Sequence, residues 1–147
     1  MTYAGYSAYN RIATTIDSKE IMLVKLLEGT VRFIQAARRG LEAGDPKAKG
    51  ENISKAIAII IELDCALDRD MGGSIVNNLS DLYQYILDRL TIGNLRNDNQ
   101  VLGEVESLLV TIHEGFAEAL KQVSLAAVSD HSPSYQPISR RGFSIAA

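Results

Sequence analysis

One cysteine, Cys65, is all the thiol this chain carries, so no disulfide can form within it. A lone thiol suits a reducing compartment better than a secreted one. Tryptophan is absent, and histidine occurs only as His113 and His131. Proline occurs three times, as Pro46, Pro133 and Pro137, which leaves most of the chain open to long helices. The longest apolar run, residues 56–61, falls far short of the roughly 20 residues a bilayer-spanning helix needs. Basic charge is not in excess: 15 Lys and Arg face 18 Asp and Glu, for a net charge of −3. That balance speaks against a nucleic-acid partner and supplies no polybasic membrane anchor. The opening stretch MTYAGYSAYNRIATT has no basic segment leading into an apolar run, so no secretory leader is expected. The expectation is a cytoplasmic protein with no direct membrane insertion.

What is present is a helical pattern. At 147 residues, 46% of them hydrophobic, the chain fits one domain. Val24, Leu27, Val31, Ile34 and Leu41 recur every three to four residues, with a second stripe at Leu23, Leu26, Phe33 and Ala37. Together they form one wide apolar helix face. Asp17 and Glu20 have the spacing of a capping box at its start. Gly44 closes the helix, and Asp45-Pro46 opens the next. Ile53, Ala56, Ile57, Ile60, Leu63 and Leu67 mark the second helix. Ile75, Leu79, Leu82, Ile86 and Leu90 mark the third, and Leu102, Val105, Leu109, Ile112, Phe116, Leu120 and Val123 the fourth. Alternating strand patterns are missing. The expected fold is all-α, an antiparallel four-helix bundle over residues 1–126 with a short N-terminal helical segment at 1–16. Residues 127–147, rich in Ser and Pro, are expected to form a disordered, flexible tail.

Catalytic and metal chemistry find little support. Di-iron bundles need Glu-x-x-His pairs, and neither histidine has Glu three residues before it. No metal, no cofactor and no enzymatic activity are expected. Cys65, set among Leu63, Ala66 and Leu67, reads as a small buried apolar residue. Asp64 and Asp68, four apart, read as neighbours on one solvated helix face. The stretch His113-Glu114-Gly115-Phe116 lacks the lysine of a histidine phosphotransfer module, which remains one alternative reading of a four-helix bundle. A self-associating structural bundle is another. One feature exceeds a simple bundle: Ile59 falls on the polar face of the second helix with Asn52 and Lys55, Ile61 on its flank, and Val76, Tyr83 and Leu87 in a stripe beside the core stripe of the third, and exposed apolar strips mark partner grooves.

Several segments carry a resemblance. They are Ile53-Ser54-Lys55-Ala56-Ile57 with Ile60, Leu67-Asp68, Gly72-Gly73, and the run from Asn78 to Tyr85 that reads NLSDLYQY. Asn94-Leu95-Arg96-Asn97-Asp98, followed by Glu104-Val105, and Leu26-Leu27-Glu28-Gly29 belong with them. At these spacings the chain resembles the flagellin-specific export chaperones of bacterial flagellar type III secretion. It departs from them in having Ser18-Lys19 where the family often has Ser-Pro, and Phe116 where a tryptophan is common.

The resemblance implies a cytoplasmic bundle that binds the disordered C-terminal region of flagellin, prevents premature polymerisation and delivers the client to a membrane protein of the export gate. It implies an N-terminal lid over the binding groove, in which Tyr9 resembles the family's tyrosine and Tyr6 precedes it. On this basis Ile59, Ile61, Tyr83 and Leu87 are expected to line the groove, with Asn52 and Asn78 bonding client backbone. Capping or plain exposure is the alternative for the asparagines, and packing of a short terminal helix is the alternative for the tyrosines. Without client, a second copy could fill the groove as a homodimer.

Overall fold

The computed structural model describes residues 3–130, with side chains from residue 19 onward, residues 127 and 130 excepted. Four helices make up the fold: α1 (Tyr3–Glu42), α2 (Pro46–Cys65), α3 (Gly73–Arg96) and α4 (Asn99–Asp130). Strands are absent among the described residues. Each helix packs on its neighbours in the cyclic order α1, α2, α3, α4, and the backbones of diagonal pairs do not approach closely among the described residues. With short turns between them, the helices alternate in direction, as expected of an antiparallel four-helix bundle.

Local signals explain the elements. Asp45 caps α2, its side chain accepting from the Ala48 N–H at 3.0 Å, and Pro46 follows it with its φ already set for a helix. The Asp98 carboxylate accepts from the N–H groups of Gln100 and Val101 at 3.0 and 3.2 Å and opens α4. Gly44 ends α1 with φ +69°, and Asn97 ends α3 with φ +50°, a left-handed turn that Asn tolerates better than most residues.

Three boundaries differ from expectation. α1 does not begin at Asp17. No glycine or proline lies between residues 6 and 28, so a residue with capping chemistry cannot stop a helix already running. The expected N-terminal segment is the first part of α1. The side chains of Tyr6 and Tyr9 lie outside the described residues. α2 ends early, at Cys65, so Asp68 is not on the helix with Asp64. The Asp68 carboxylate instead accepts from the N–H groups of Asp70 and Met71 in the turn. Cys65 is exposed rather than buried, because the core face of α2 passes through Ile60 and Leu63. α4 continues to Asp130, beyond the expected start of the tail at residue 127. Residues 131–147 of that tail lie outside the described residues.

The core consists of Leu27, Ile34 and Ala37 from α1, Ile53, Ala56, Ile60 and Leu63 from α2, Tyr83, Ile86 and Leu90 from α3, and Leu102, Val105 and Leu109 from α4. One end of it lies where the α1–α2 and α3–α4 turns come together. There the buried Lys49 ammonium donates to the Asn94 carbonyl at 3.0 Å and to the Asn97 side chain. The C-terminal dipole of α3 favours a cation at that point. Gly40 lets α1 and α2 approach closely: a Cβ there would stand 2.8 Å from the Lys49 backbone nitrogen. Gly40→Ala must push the helices apart, and overpacking of this kind costs about 1–3 kcal/mol. A lowered denaturant midpoint with unchanged slope is the expected result.

At about 1.5 Å per residue, α1 is about 60 Å long and α4 about 48 Å, against about 30 Å for α2 and 36 Å for α3. The longer pair therefore runs past the α2–α3 turn. The end at the α1–α2 and α3–α4 turns is closed by the Lys49 contacts, whereas at the other, open end α1 and α4 extend beyond an α2–α3 turn tied by Asp64, Arg69, Ser80 and Gln84.

Candidate partner-binding surface

Two polar straps fix the flanks of α4. On the α1 side, Arg38 pairs with Glu106, the Gln35 amide donates to Glu106 at 2.9 Å, and Arg38 Nε donates to Asn99 at 2.8 Å. Gly103 leaves room for the guanidinium, whose carbon would lie 3.3 Å from a Cβ at that position. On the α3 side, the Tyr85 hydroxyl and Arg89 both donate to Glu104, at 2.5 and 2.7 Å.

Burial raises the Glu106 pKa, but the Gln35 and Arg38 hydrogen bonds and the charges of Arg38 and Arg39 outweigh it, so the net shift is downward. Glu104 is lowered by the hydrogen bonds from Tyr85 and Arg89. A carboxylate with a depressed folded-state pKa stabilises the fold above its unfolded value and loses that contribution as pH falls through the folded value. Stability is therefore expected to drop as pH falls below 4.5, the ordinary value for Glu. Glu106→Gln should lower stability at neutral pH and flatten this acid limb, as read from denaturant midpoints over a pH series.

The seams on either side of α2 differ from those straps. Ile59 and Ile61 are two residues apart, about 200° around a helix, and so fall on opposite flanks. Ile59 shares the α1 side with Asn52 and Lys55, and the Lys55 ammonium sits 5.5 Å from the centre of the Phe33 ring. Ile59 is half-buried against the core, whereas Ile61 is 47% exposed. Ile61 shares the α3 side with Asp64, which accepts from the Ser80 hydroxyl at 2.6 Å and the Gln84 amide at 3.1 Å. Leu87, half-buried, lies one turn from Gln84 on the facing flank of α3.

The expected groove residues therefore divide. Asn52 and Ile59 border the α1–α2 seam, and the Asn52 amide nitrogen is committed to the Ala48 carbonyl at 2.7 Å. Ile61 and Leu87 border the α2–α3 seam. Tyr83 is 1% exposed and belongs to the core, so it is not a surface groove residue. Its hydroxyl pKa is pushed up to about 12 by burial and by the nearby Asp64 charge. Asn78 is exposed, on the flank of α3 away from α2. His113 is half-buried on α4.

Sequence reasoning missed part of this surface. Ile21, Met22, Lys25 and Leu26 line a hollow of about 320 Å3 on α1. Gly40 against Lys49 and Phe33 against Lys55 set the α1–α2 register, which puts Met22 opposite the C-terminal end of α2. Met22 is 61% exposed. The available signal was that Met22, one turn before Leu26, continues the second apolar stripe of the first helix, with Ile21 apolar beside it and outside both stripes. Met71 and Ile75, in and just after the α2–α3 turn, are also strongly exposed. Both seams thus lead to exposed apolar side chains at the open end. Among the described residues, no three His, Cys, Asp or Glu side chains gather to hold a metal ion. No helix among them is long and apolar enough to cross a membrane.

Comparison with known proteins gives a concordant result. The sequence profile of the family described as Flagellar protein FliS matches residues 2–123. The chain is 44% identical over 128 residues to the flagellar secretion chaperone FliS of Salmonella typhimurium, covering 84% of this chain and 92% of that protein. It is 37% identical to the flagellar secretion chaperone FliSB of Pseudomonas aeruginosa, covering 71% of this chain and 83% of that one. The corresponding protein of Bacillus subtilis is 29% identical, covering 79% of this chain and 86% of its own length. A match that runs through all four helices makes this chain a member of the FliS family of flagellar secretion chaperones.

Proposed function

We propose that the chain is a cytoplasmic export chaperone that captures the C-terminal region of flagellin, blocks its polymerisation and presents it to the export gate. The observation that supports this reading most is the pair of apolar-bordered seams on opposite flanks of α2. Two such seams suit an extended client that wraps the bundle better than a globular partner that docks on one face. Helical client segments would lie along the seams, anchored at i, i+3 and i+4 positions. The client would cross α2 between them over Ser54, Ala58 and Cys65, which are exposed and small enough to leave the outer row of the helix low.

The energetics suit a carrier. A disordered client that folds on binding buries about 1,000–3,000 Å2 and loses about 2–5 kcal/mol to ordering. Net affinity is then moderate, and the client can be released. Tyr6 and Tyr9, as an N-terminal lid, would lower apparent affinity by the fraction of molecules in which the groove is closed. The closed end, fixed by Lys49 and the Arg38–Glu106 strap, keeps the seams in register while the client comes and goes.

Seeded elongation of flagellin filaments, followed by light scattering, tests the reading. A stoichiometric amount of this protein is expected to stop elongation. Elongation at the rate seen without the protein would reject the proposal.

A further inference from the structure

Sulfur is kept out of the interior of this molecule. The buried core is made of Leu, Ile, Val, Ala and Tyr, and holds no methionine or cysteine among the described residues. Methionine is ordinarily one of the more deeply buried residues. Met22 and Met71, the two methionines among the described residues, are instead 61% and 85% exposed. Met22 lines the hollow on α1 with Ile21, Lys25 and Leu26, opposite the C-terminal end of α2. Met71 stands in the α2–α3 turn and does not line that hollow.

This placement has two chemical consequences. An unbranched thioether adapts its shape to a partner, which suits the wall of an apolar hollow. The same exposed sulfur is open to a small oxidant. Oxidation of a core methionine disrupts the packing around it, whereas Met22 carries little of the packing that holds the bundle.

We propose that Met22 is an oxidation site at which hydrogen peroxide weakens the grip on the client and leaves the bundle folded, a step that rests on the reading of the α1–α2 seam as client surface. The sulfur lone pair attacks one peroxide oxygen, the O–O bond breaks, and the departing hydroxide takes the proton of the transferred oxygen to leave as water. Sulfur is oxidised by two electrons to the sulfoxide, and peroxide is reduced. Two thiols of a methionine sulfoxide reductase reverse the step, taking the oxygen away as water and becoming a disulfide.

The product changes what the hollow offers. Lys25 is exposed three residues from Met22, a spacing that makes the two side chains neighbours on the helix surface. Its ammonium can donate to the sulfoxide oxygen. An apolar client side chain would then cover two polar groups and strip water from both, which is expected to weaken binding about tenfold.

The test treats the full chain with dilute hydrogen peroxide, removes the peroxide, and adds dithiothreitol, which returns Cys65 to the thiol and leaves methionine sulfoxide in place. Binding of an untreated peptide from the flagellin C-terminal region is measured beside the unfolding midpoint, and mass spectrometry of the digested protein reads the added oxygen on Met22. Affinity is expected to fall about tenfold with the midpoint unchanged, and to recover after treatment with the reductase. Met71→Leu should show the same ratio of treated to untreated affinity, and Met22→Leu a ratio near one. A Met22 left unoxidised, an oxidised Met22 with affinity unchanged, a lowered midpoint, or an equal loss in Met22→Leu would each overturn the proposal. Failure of the untreated protein to bind the peptide would instead reject the client reading, and this step with it.

Discussion

Tyr83→Ala is expected to lower global stability by about 3–5 kcal/mol, the usual cost of emptying a buried aromatic site. The side chain is 1% exposed and packs in the core with Ile60, Ile86 and Leu90. Against a total stability of about 5–15 kcal/mol, this loss puts the variant near unfolding at moderate temperature. The result discriminates between two roles for one residue. A groove residue would lose client affinity with the midpoint unchanged, whereas a core residue loses the midpoint first. Thermal and denaturant unfolding of the client-free protein read this directly. Alkaline pH supplies a second check. The phenol pKa rises from 10.0 to about 12 on folding, so the folded state favours the neutral hydroxyl. Its contribution is complete below pH 10 and is lost as pH climbs toward 12. Tyr83→Phe should remove this alkaline dependence while keeping most of the packing.

The second large effect concerns the client. Ile61→Asp and Met22→Asp alter exposed side chains on opposite sides of α2, so each should change stability by no more than about 0.5 kcal/mol. If the client occupies both seams, each variant should weaken flagellin binding about tenfold, equivalent to about 1.4 kcal/mol. The two sites are separated by the width of α2 and share no partner, so the effects should add to about a hundredfold in the double variant. A client confined to one seam would respond to one substitution and ignore the other. Competition binding with labelled flagellin peptide measures all three variants.

The parts of this molecule legible in the sequence are those governed by local rules. Apolar periodicity located every core position of α2 and α3 except through Tyr83, whose aromatic ring sits in the stripe of Ile86 and Leu90 rather than beside it. Asp45-Pro46 and Asn97-Asp98 marked their turns because capping chemistry is local. The start of α1 was misjudged because capping residues work only where the chain has a reason to begin a helix. The surface was harder. Ile59 and Ile61 look like neighbours in the sequence, yet the helix turns them to opposite flanks, and which flank faces which partner depends on packing between helices. Met22 and Met71 lie far apart in the sequence, yet the α1–α2 register puts Met22 opposite the C-terminal end of α2, just before the turn that carries Met71. Lys49, a charged residue in an otherwise ordinary helix start, gave no sign that it would be buried against the end of α3.

Titration calorimetry of the full chain against a peptide covering the C-terminal region of its own organism's flagellin tests the central claim most directly. The account predicts saturable binding near one to one, a negative heat-capacity change from apolar burial, and new helical signal as the peptide orders. No heat at several temperatures and no shift on a sizing column, with bundle folded and peptide soluble, would contradict it.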